Sequence, residues 1–225
     1  MVYPEVEEWT IARPDPRVVQ SADEILVGID PGIRVCGVAC TAHTGEAFLT
    51  FDAFELYDLD IEDCMREITR RLREGWGIPV HKLESPKIDP NNASQRGIVT
   101  GETIEDELIR LGYAPERGGK DLMGGTKMLR RLGRKGRWKI SGHLTEFIER
   151  LEEYPLEVDE HGRHRPAKTG REHLCDAVRY GITTRTWDED EEDEGPRLDA
   201  WGRPVVGPDV AQGPRPKRPG LATVG

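Results

Sequence analysis

The sequence predicts an α/β fold in which a mixed β-sheet is flanked by helices. Three successive apolar, β-rich runs occupy the first quarter of the 225-residue chain. After them the spacing of apolar residues changes to a helical period, and helical segments then alternate with short apolar runs. With 36% hydrophobic and 33% charged residues, the composition is that of a soluble globular domain with length to spare for tails. This order of elements indicates a layered α/β architecture.

The first three strands are predicted from two neighbouring apolar runs and a third that follows them. Residues 25–30 and 34–41 are joined by a Pro-Gly turn, and residues 46–56 form a partly alternating run. Short connections of this kind favour an antiparallel meander. Residues 60–75 then have apolar residues at helical spacing, and Asp60 is a good N-cap for that helix.

The remaining elements are shorter and follow in sequence order. A fourth strand is predicted to begin at residues 79–83 and to reach Asp89 by an extended path. Thr103 is a suitable cap for the next helix. Further helices are predicted at 103–111, 126–132, 141–154 and 171–186, a strand at 138–141, and a hairpin or loop at 155–166.

Composition divides the chain into three parts. Residues 1–22 contain several prolines and are predicted to form an extended N-terminal arm, and residues 23–187 form the globular domain. Residues 188–225 open with seven consecutive acids and continue without apolar periodicity in Pro and Gly, which predicts a disordered tail. The four cysteines are read as reduced thiols of a cytoplasm-like compartment. No apolar stretch is long enough for a membrane span.

Charge is distributed unevenly along the chain. The formal net charge is −10, yet residues 110–139 contain ten Lys and Arg against two acids. A local basic field inside an acidic protein attracts polyanions, although a solvated helix face would have the same composition. The candidate phosphate contacts in this segment are Lys127, Arg130, Arg131, Arg134 and Lys135.

Three aspartates occupy positions that suggest chemistry. Asp30 ends the first strand, Asp89 follows the fourth, and Asp176 lies in the last helix. If the first and fourth strands are neighbours, the first two acids lie side by side, and a helix packed over the strand ends adds the third. Buried carboxylates are costly unless cations balance them. Oxygen ligands suit Mg²⁺ and Mn²⁺, and two such ions about 3.5–4 Å apart activate a water for phosphodiester hydrolysis.

Each acid also has a simpler interpretation. Asp30 belongs to the turn sequence Asp-Pro-Gly, and Asp89 before Pro90 is typical of a turn or of the first residue of a helix. Asp176 lies off the apolar stripe of its helix, which is compatible with solvent exposure.

Taken in order, five motifs resemble the nuclease domain of the large terminase subunit of tailed phages, across about residues 24–186. The motifs are VGIDPG (27–32), IDPNNASQRGIVTGETIEDELIRLGY (88–113), GRWKI (136–140), FIERLEEY (147–154) and HLCDAVRY (173–180). The resemblance implies an RNase H-like fold and a metal-dependent endonuclease that hydrolyses double-stranded DNA concatemers by a two-metal mechanism.

The resemblance also implies roles for individual residues. Asp30, Asp89 and Asp176 become the metal ligands for two Mg²⁺ or Mn²⁺ ions. Glu172 stands where many relatives have Asp, so whether a fourth acid helps to bind the second metal ion stays an open question. The last motif supplies the supporting residues His173, Arg179 and Tyr180. Lys168, in the segment before that motif, is a candidate phosphate contact.

Partners follow from the same resemblance. No G-x-x-x-x-G-K-[ST] phosphate loop occurs in this sequence, so the ATPase motor of a terminase is expected on another chain or has been removed from this one. The small terminase subunit, the portal and double-stranded DNA are the expected partners, in the host cell cytoplasm.

Two other functions remain open. A junction resolvase of the RuvC type also begins with a G-I-D-P-G strand and has a related fold, although the last motif and the DP…TG segment match terminases better. A DNA-packaging adaptor that binds DNA without cutting it requires the acids to lie too far apart to share metal ions.

Overall fold

The computed structural model describes residues 1–32, 34–45, 47–83, 85–94, 101–160, 162 and 164–185. Within them a mixed sheet has the strand order β1-β7-β4-β3-β2-β5-β6. Its strands are β1 (Thr10–Ile11), β2 (Glu24–Pro31), β3 (Val35–Thr44), β4 (Ala47–Tyr57), β5 (Lys87–Ile88), β6 (Glu116–Arg117) and β7 (Trp138–Ser141), and a separate hairpin pairs β8 (Leu156–Val158) with β9 (His164–Pro166). The helices are α1 (Pro16–Gln20), α2 (Ile61–Trp76), α3 (Ile104–Arg110), α4 (Leu122–Arg134), α5 (Thr145–Glu153) and α6 (His173–Thr183).

The predicted fold class is confirmed. β2, β3 and β4 form the antiparallel meander, and the outer strands join it in parallel on both sides. Alternate residues of each central strand point to opposite faces of the sheet. On β2, Ile25, Val27 and Ile29 belong to one hydrophobic cluster, whereas Leu26 belongs to the other. The sheet is therefore covered on both faces, which explains why its central strands are apolar along nearly their whole length.

One face of the sheet is covered by α2 and α3, and the other by α4, α5 and α6. The predicted cap of α2 is present, because the Asp60 carboxylate accepts a hydrogen bond from the Asp63 N–H at 2.8 Å. Gly77 ends the same helix in the left-handed conformation at φ 66°, where a side chain is disfavoured. Local signals therefore set both ends of α2, and its buried residues at helical spacing set which side meets the sheet.

The extended conformation predicted for residues 1–22 is wrong. This segment contains a 3-10 helix (Val6–Trp9), the edge strand β1 and helix α1, and β1 pairs in parallel with β7. Tyr3 and Trp9 are almost fully buried in the cluster on the α4–α5–α6 face. The prolines alone suggested an extended arm. The segment packs on the domain because its two aromatic side chains bury a large apolar area there.

Two further boundaries differ from prediction. The fourth strand does not begin at residues 79–83, which form a 3-10 helix (Val80–Leu83); β5 starts at Lys87. Pro79 lacks a backbone N–H for a sheet ladder, and Leu83 turns into the core. Helix α4 starts four residues earlier than predicted, because the Asp121 side chain caps it through the N–H of Gly124.

Two segments with sequence-based expectations lie outside the residues that the structure describes. Residues 188–225, predicted as a disordered tail, lie outside the described residues, as do residues 95–100 in the middle of the second motif. Among the helices that are described, none has both the length and the apolarity to cross a membrane.

Close contact between α6 and the sheet depends on two glycines. A Cβ built on Gly28 would lie 1.8 Å from the Ala177 carbonyl oxygen, and one on Gly37 would lie 2.5 Å from the His173 backbone. Because the obstacles are backbone atoms, no side-chain rotation relieves them. These two positions therefore let the first turns of α6 lie directly on β2 and β3.

We predict that Gly28→Ala lowers the free energy of unfolding by about 1–3 kcal/mol or more, because α6 has to move away from the sheet. Urea denaturation measures the effect. Gly75→Ala is the matched control: apart from its chain neighbours and its own helix backbone, no atom lies within 4 Å of the added Cβ, and alanine is the better helix former by about 1 kcal/mol. Equal stability of the two variants would contradict the close packing of α6.

Candidate active site

The first two predicted acids lie side by side. β2 pairs in parallel with β5, with Ile29 opposite Ile88, so that the next positions are Asp30 and Asp89. The Asp89 N–H donates to the Ile29 carbonyl at 3.2 Å, which continues the pairing to the end of both strands. Neighbouring strands are about 4.8 Å apart. Both side chains are nearly buried, at 5% and 6% exposure of the residues, which confirms the predicted neighbourhood of the first and fourth strands.

The last helix brings the third acid close enough to Asp30 for the charge of Asp30 to raise its pKa. At the N-terminus of α6, His173 Nδ1 is hydrogen-bonded to Asp30 Oδ2 at 2.7 Å. Asp176 follows three residues later, one turn along the helix and therefore on the same side as His173. The carboxylate of Asp176 is largely buried, so the alternative of a solvent-exposed acid is wrong.

Arg179 holds Asp176 from the next turn of α6. Its Nη2 and Nε donate to Asp176 Oδ1 at 2.9 and 3.2 Å, and its Nη1 donates to the Gly119 carbonyl at 2.9 Å. The guanidinium lies 4.3 Å from the ring centroid of Tyr180, which is itself packed under Gly118. The last motif thus contributes one candidate ligand and a buried arginine and tyrosine that fix its position.

Burial dominates the electrostatics of Asp30 and Asp176. Burial raises the pKa of Asp30 above its ordinary value; the His173 hydrogen bond opposes the rise and the charge of Asp89 adds to it. Burial likewise raises the pKa of Asp176, against the attraction of Arg179, and the charge of Asp30 raises it further. The pKa of His173 is also raised, chiefly by its hydrogen bond to Asp30, and for a histidine this favours the charged form. The three acids therefore form one electrostatic group.

Two glutamates, Glu172 and Glu55, lie near the three aspartates but make other contacts. Glu172 Oε2 accepts hydrogen bonds from the N–H groups of Thr169 and Arg171, at 2.9 and 2.8 Å, so it organises the turn before α6. Glu55 on β4 lies opposite Gly37, which lies opposite Asp30.

Glu55 is a residue of the site region that the sequence analysis missed. Its side chain is only 6% exposed, lies 3.7 Å from Arg150 Nη2, and helps to raise the pKa of His173. The alternation of β4 placed this acid on an inward-facing position, and that was the sequence feature from which its burial could have been predicted.

The donor chemistry of the three aspartates fits a hard divalent cation. Carboxylate oxygens are the ligands that Mg²⁺ and Mn²⁺ take, and a buried cluster of acids needs positive charge. In the described residues, however, no three His, Cys, Asp or Glu side chains are already arranged as a metal-ligand set. Asp30 is engaged by His173, Asp176 by Arg179, and Asp89 Oδ1 by the N–H of Asn91 at 2.9 Å. Each of these contacts uses one oxygen of a carboxylate that has two. Metal coordination therefore requires the three side chains to move closer together, but it does not require these contacts to break.

Solved structures with the same arrangement of strands and helices identify the fold. The chain aligns with the large terminase of a thermophilic bacteriophage at a TM-score of 0.67 and 15% identity, over 82% of this chain and 45% of that one. It also aligns with the magnesium-bound large terminase nuclease of a second thermophilic phage, G20c (TM-score 0.55, 13% identity, 80% and 95% of the two chains). The manganese-bound nuclease domain of the bacteriophage SPP1 large terminase gives a TM-score of 0.53 at 16% identity, over 80% and 97%.

The fold is that of a terminase nuclease domain. The similarity covers nearly the whole of the isolated G20c and SPP1 nucleases but less than half of the first large terminase, which has also been crystallised with ADP. No protein-family model and no curated protein sequence matches the chain. At these identities the comparison establishes the fold, and the RNase H-like class predicted from the five motifs is confirmed with it.

In this terminase nuclease fold the predicted DNA contacts lie mainly on α4. Gly125, on the buried side of α4, packs against the Arg179 side chain, so this helix adjoins the candidate active site. Lys127, Lys135 and Arg134 are exposed and Arg130 and Arg131 are half-buried, whereas Lys168 is exposed on the segment between β9 and α6. Two of these arginines, Arg130 and Arg134, are already engaged by the Glu5 carboxylate.

Proposed function

We propose that this chain is the nuclease domain of a viral DNA-packaging terminase, a metal-dependent endonuclease that hydrolyses phosphodiester bonds of double-stranded DNA concatemers. The observation that carries the proposal is the convergence of Asp30, Asp89 and Asp176 from two strand ends and one helix. The similarity to terminase nuclease domains supports the same conclusion.

Each residue of the site has a role in this proposal. Asp30, Asp89 and Asp176 would hold two divalent cations, Mg²⁺ or Mn²⁺, and Asp30 is the acid whose charge environment links the other two. When bound, such ions supply the positive charge that activates a water and stabilises the leaving oxygen. Arg179 fixes the orientation of the Asp176 carboxylate through its hydrogen bonds, and the Tyr180 ring packs against the Arg179 guanidinium. His173 fixes the rotamer of Asp30.

Substrate and partners follow from charge and from the matched length. The basic outer side of α4 and the exposed Lys168 contact the phosphate backbone, which gives binding that depends on salt and has little sequence preference. The chain spans 45% of the longer large terminase that it matches, and an ATPase motor on another chain or on a removed segment completes the machine. The small terminase subunit and the portal are its further partners, and the host cell cytoplasm is where it acts.

We predict that the protein nicks and then linearises supercoiled plasmid in the presence of Mg²⁺ or Mn²⁺, and that a chelator abolishes the reaction. Gel analysis of plasmid forms across a metal series measures this, with Ca²⁺ and no added metal as controls. A protein that binds the plasmid but never cuts it with any divalent ion would be the packaging adaptor.

A second substrate separates the nuclease from a junction resolvase. The proposed enzyme cuts a linear duplex at least as fast as a four-way junction of the same arm sequence. Symmetrical cutting of the junction, with the linear duplex left intact, would favour the RuvC-type activity and contradict the terminase assignment.

A further inference from the structure

The outer side of α4 carries a continuous basic stripe. Arg130 and Arg131 each lie three or four residues from both Lys127 and Arg134, so the four side chains are neighbours on one side of the helix. The opposite side, which includes Leu129 and Leu132, is buried against the sheet. The stripe is thus held rigidly in place and presents guanidinium and ammonium groups outward.

A single carboxylate from the N-terminal segment occupies the middle of this stripe. Glu5 Oε2 accepts from Arg130 Nε at 3.0 Å, and Glu5 Oε1 accepts from Arg130 Nη2 at 2.7 Å. The same Oε1 also accepts from Arg134 Nε at 3.2 Å and from Arg134 Nη2. One carboxylate therefore takes up two arginines that stand 125 and 129 residues away in the sequence.

The segment that carries Glu5 is anchored to the domain on both sides of that residue. Tyr3 and Trp9 are almost fully buried, and the Trp9 ring packs so closely on α4 that a Cβ on Gly133 would lie 2.4 Å from it. The Val2 N–H donates to the Tyr154 carbonyl at 2.8 Å. Glu5 is consequently held at a defined place beside the arginines.

We propose that Glu5 acts as an internal competitor of DNA phosphate, withholding Arg130 and Arg134 from the DNA that the rest of the stripe contacts. A carboxylate bound by the fork of one guanidinium and the edge of another mimics the way two arginines hold a phosphate. Lys127 and Arg131 pair with no carboxylate in the described part of the chain, so they can contact the phosphate backbone of the DNA. This inference rests on the proposed function, because it concerns how the same domain binds its DNA.

The test measures duplex binding as a function of salt for Glu5→Gln and for the control Glu8→Gln. Glu8 lies on the 3-10 helix that follows Glu5 and is exposed, so its replacement removes one negative charge without freeing an arginine. Each released arginine adds one phosphate contact and a slope of about 0.9 in log K against log salt. We therefore expect E5Q to bind more tightly at 50 mM salt, with an advantage that shrinks about tenfold by 200 mM. E8Q should keep the wild-type slope.

A triple variant tests the inference without relying on E5Q alone. If Glu5 silences the two arginines, then E5Q/R130Q/R134Q has the wild-type salt slope, whereas E5Q has a steeper one. Thermal unfolding of each variant verifies that the N-terminal segment stays folded. A triple variant with a slope shallower than wild type, or an E5Q variant indistinguishable from E8Q, would overturn the inference and leave the nuclease assignment intact. Failure of every protein, wild type included, to bind duplex DNA would contradict the proposed function and the DNA-facing role of α4 together.

Discussion

Replacing Asp30 by Asn is expected to reduce plasmid cutting by at least about a thousandfold while leaving the protein folded. The loss follows from removal of the carboxylate that adjoins both other acids, because charge stabilisation by bound cations supplies several kcal/mol to such reactions and each 1.36 kcal/mol is tenfold in rate. Initial nicking rates with Mg²⁺ and Mn²⁺ measure the effect.

The fold of the Asp30→Asn variant should be at least as stable as that of the wild type. Burial raises the pKa of Asp30, so its ionised form is disfavoured in the folded protein, and the neutral isostere removes that cost. The amide oxygen still accepts a hydrogen bond from His173. Duplex binding in a chelator should change little.

Asp52→Asn is the matched control for this experiment. Asp52 lies on β4, its pKa is also raised by burial, and its Oδ2 accepts a hydrogen bond from Trp76 on the other face of the sheet. This variant should cut plasmid at the wild-type rate. If Asp30→Asn unfolds the domain, then Asp30 serves the turn after β2; if it cuts normally, the candidate site is not the catalytic one.

Replacing Arg179 by Leu is expected to lower the free energy of unfolding by about 3–5 kcal/mol, which corresponds to a fall of about 6–20 °C in Tm for a domain of this size. The arginine and its partner Asp176 are 5% and 16% exposed at their side chains. Removal of the guanidinium leaves a buried carboxylate and the Gly119 carbonyl without their donors. Urea denaturation in a chelator measures the loss without a contribution from bound metal.

A second substitution identifies the cause of that loss. In Asp176→Asn/Arg179→Leu no charge remains to be buried, so the double variant should be more stable than the Arg179→Leu single variant. Arg70→Gln is the surface control, because Arg70 pairs with Glu67 and Glu74 on the exposed side of α2 and its loss should leave the midpoint unchanged. An Arg179→Leu variant as stable as the wild type would show that the Arg179–Asp176 pair does not stabilise the fold.

Local patterns predicted the central part of the fold well. The alternation of residues 46–56 and the change of period after Asp60 are properties of single elements, and both β4 and α2 formed as expected. The same local logic placed Asp30 near the end of β2, because this acid closes an apolar run just before a Pro-Gly turn. Where a local signal was ambiguous, as at the prolines of the N-terminal segment, the prediction was wrong.

The sequence by itself determined the strands of the meander and the helix α2, since hydrophobic period and capping act within a few residues. It also placed Asp30 at the end of a strand, Asp89 after a strand and Asp176 in the last helix. Only the tertiary structure decided which groups meet: His173 with Asp30, Glu55 in line with Asp30 across Gly37, and Glu5 with the arginines of α4. These contacts join residues far apart in the chain. They depend on strand register and on how closely α6 and the N-terminal segment pack, and no local period encodes either quantity.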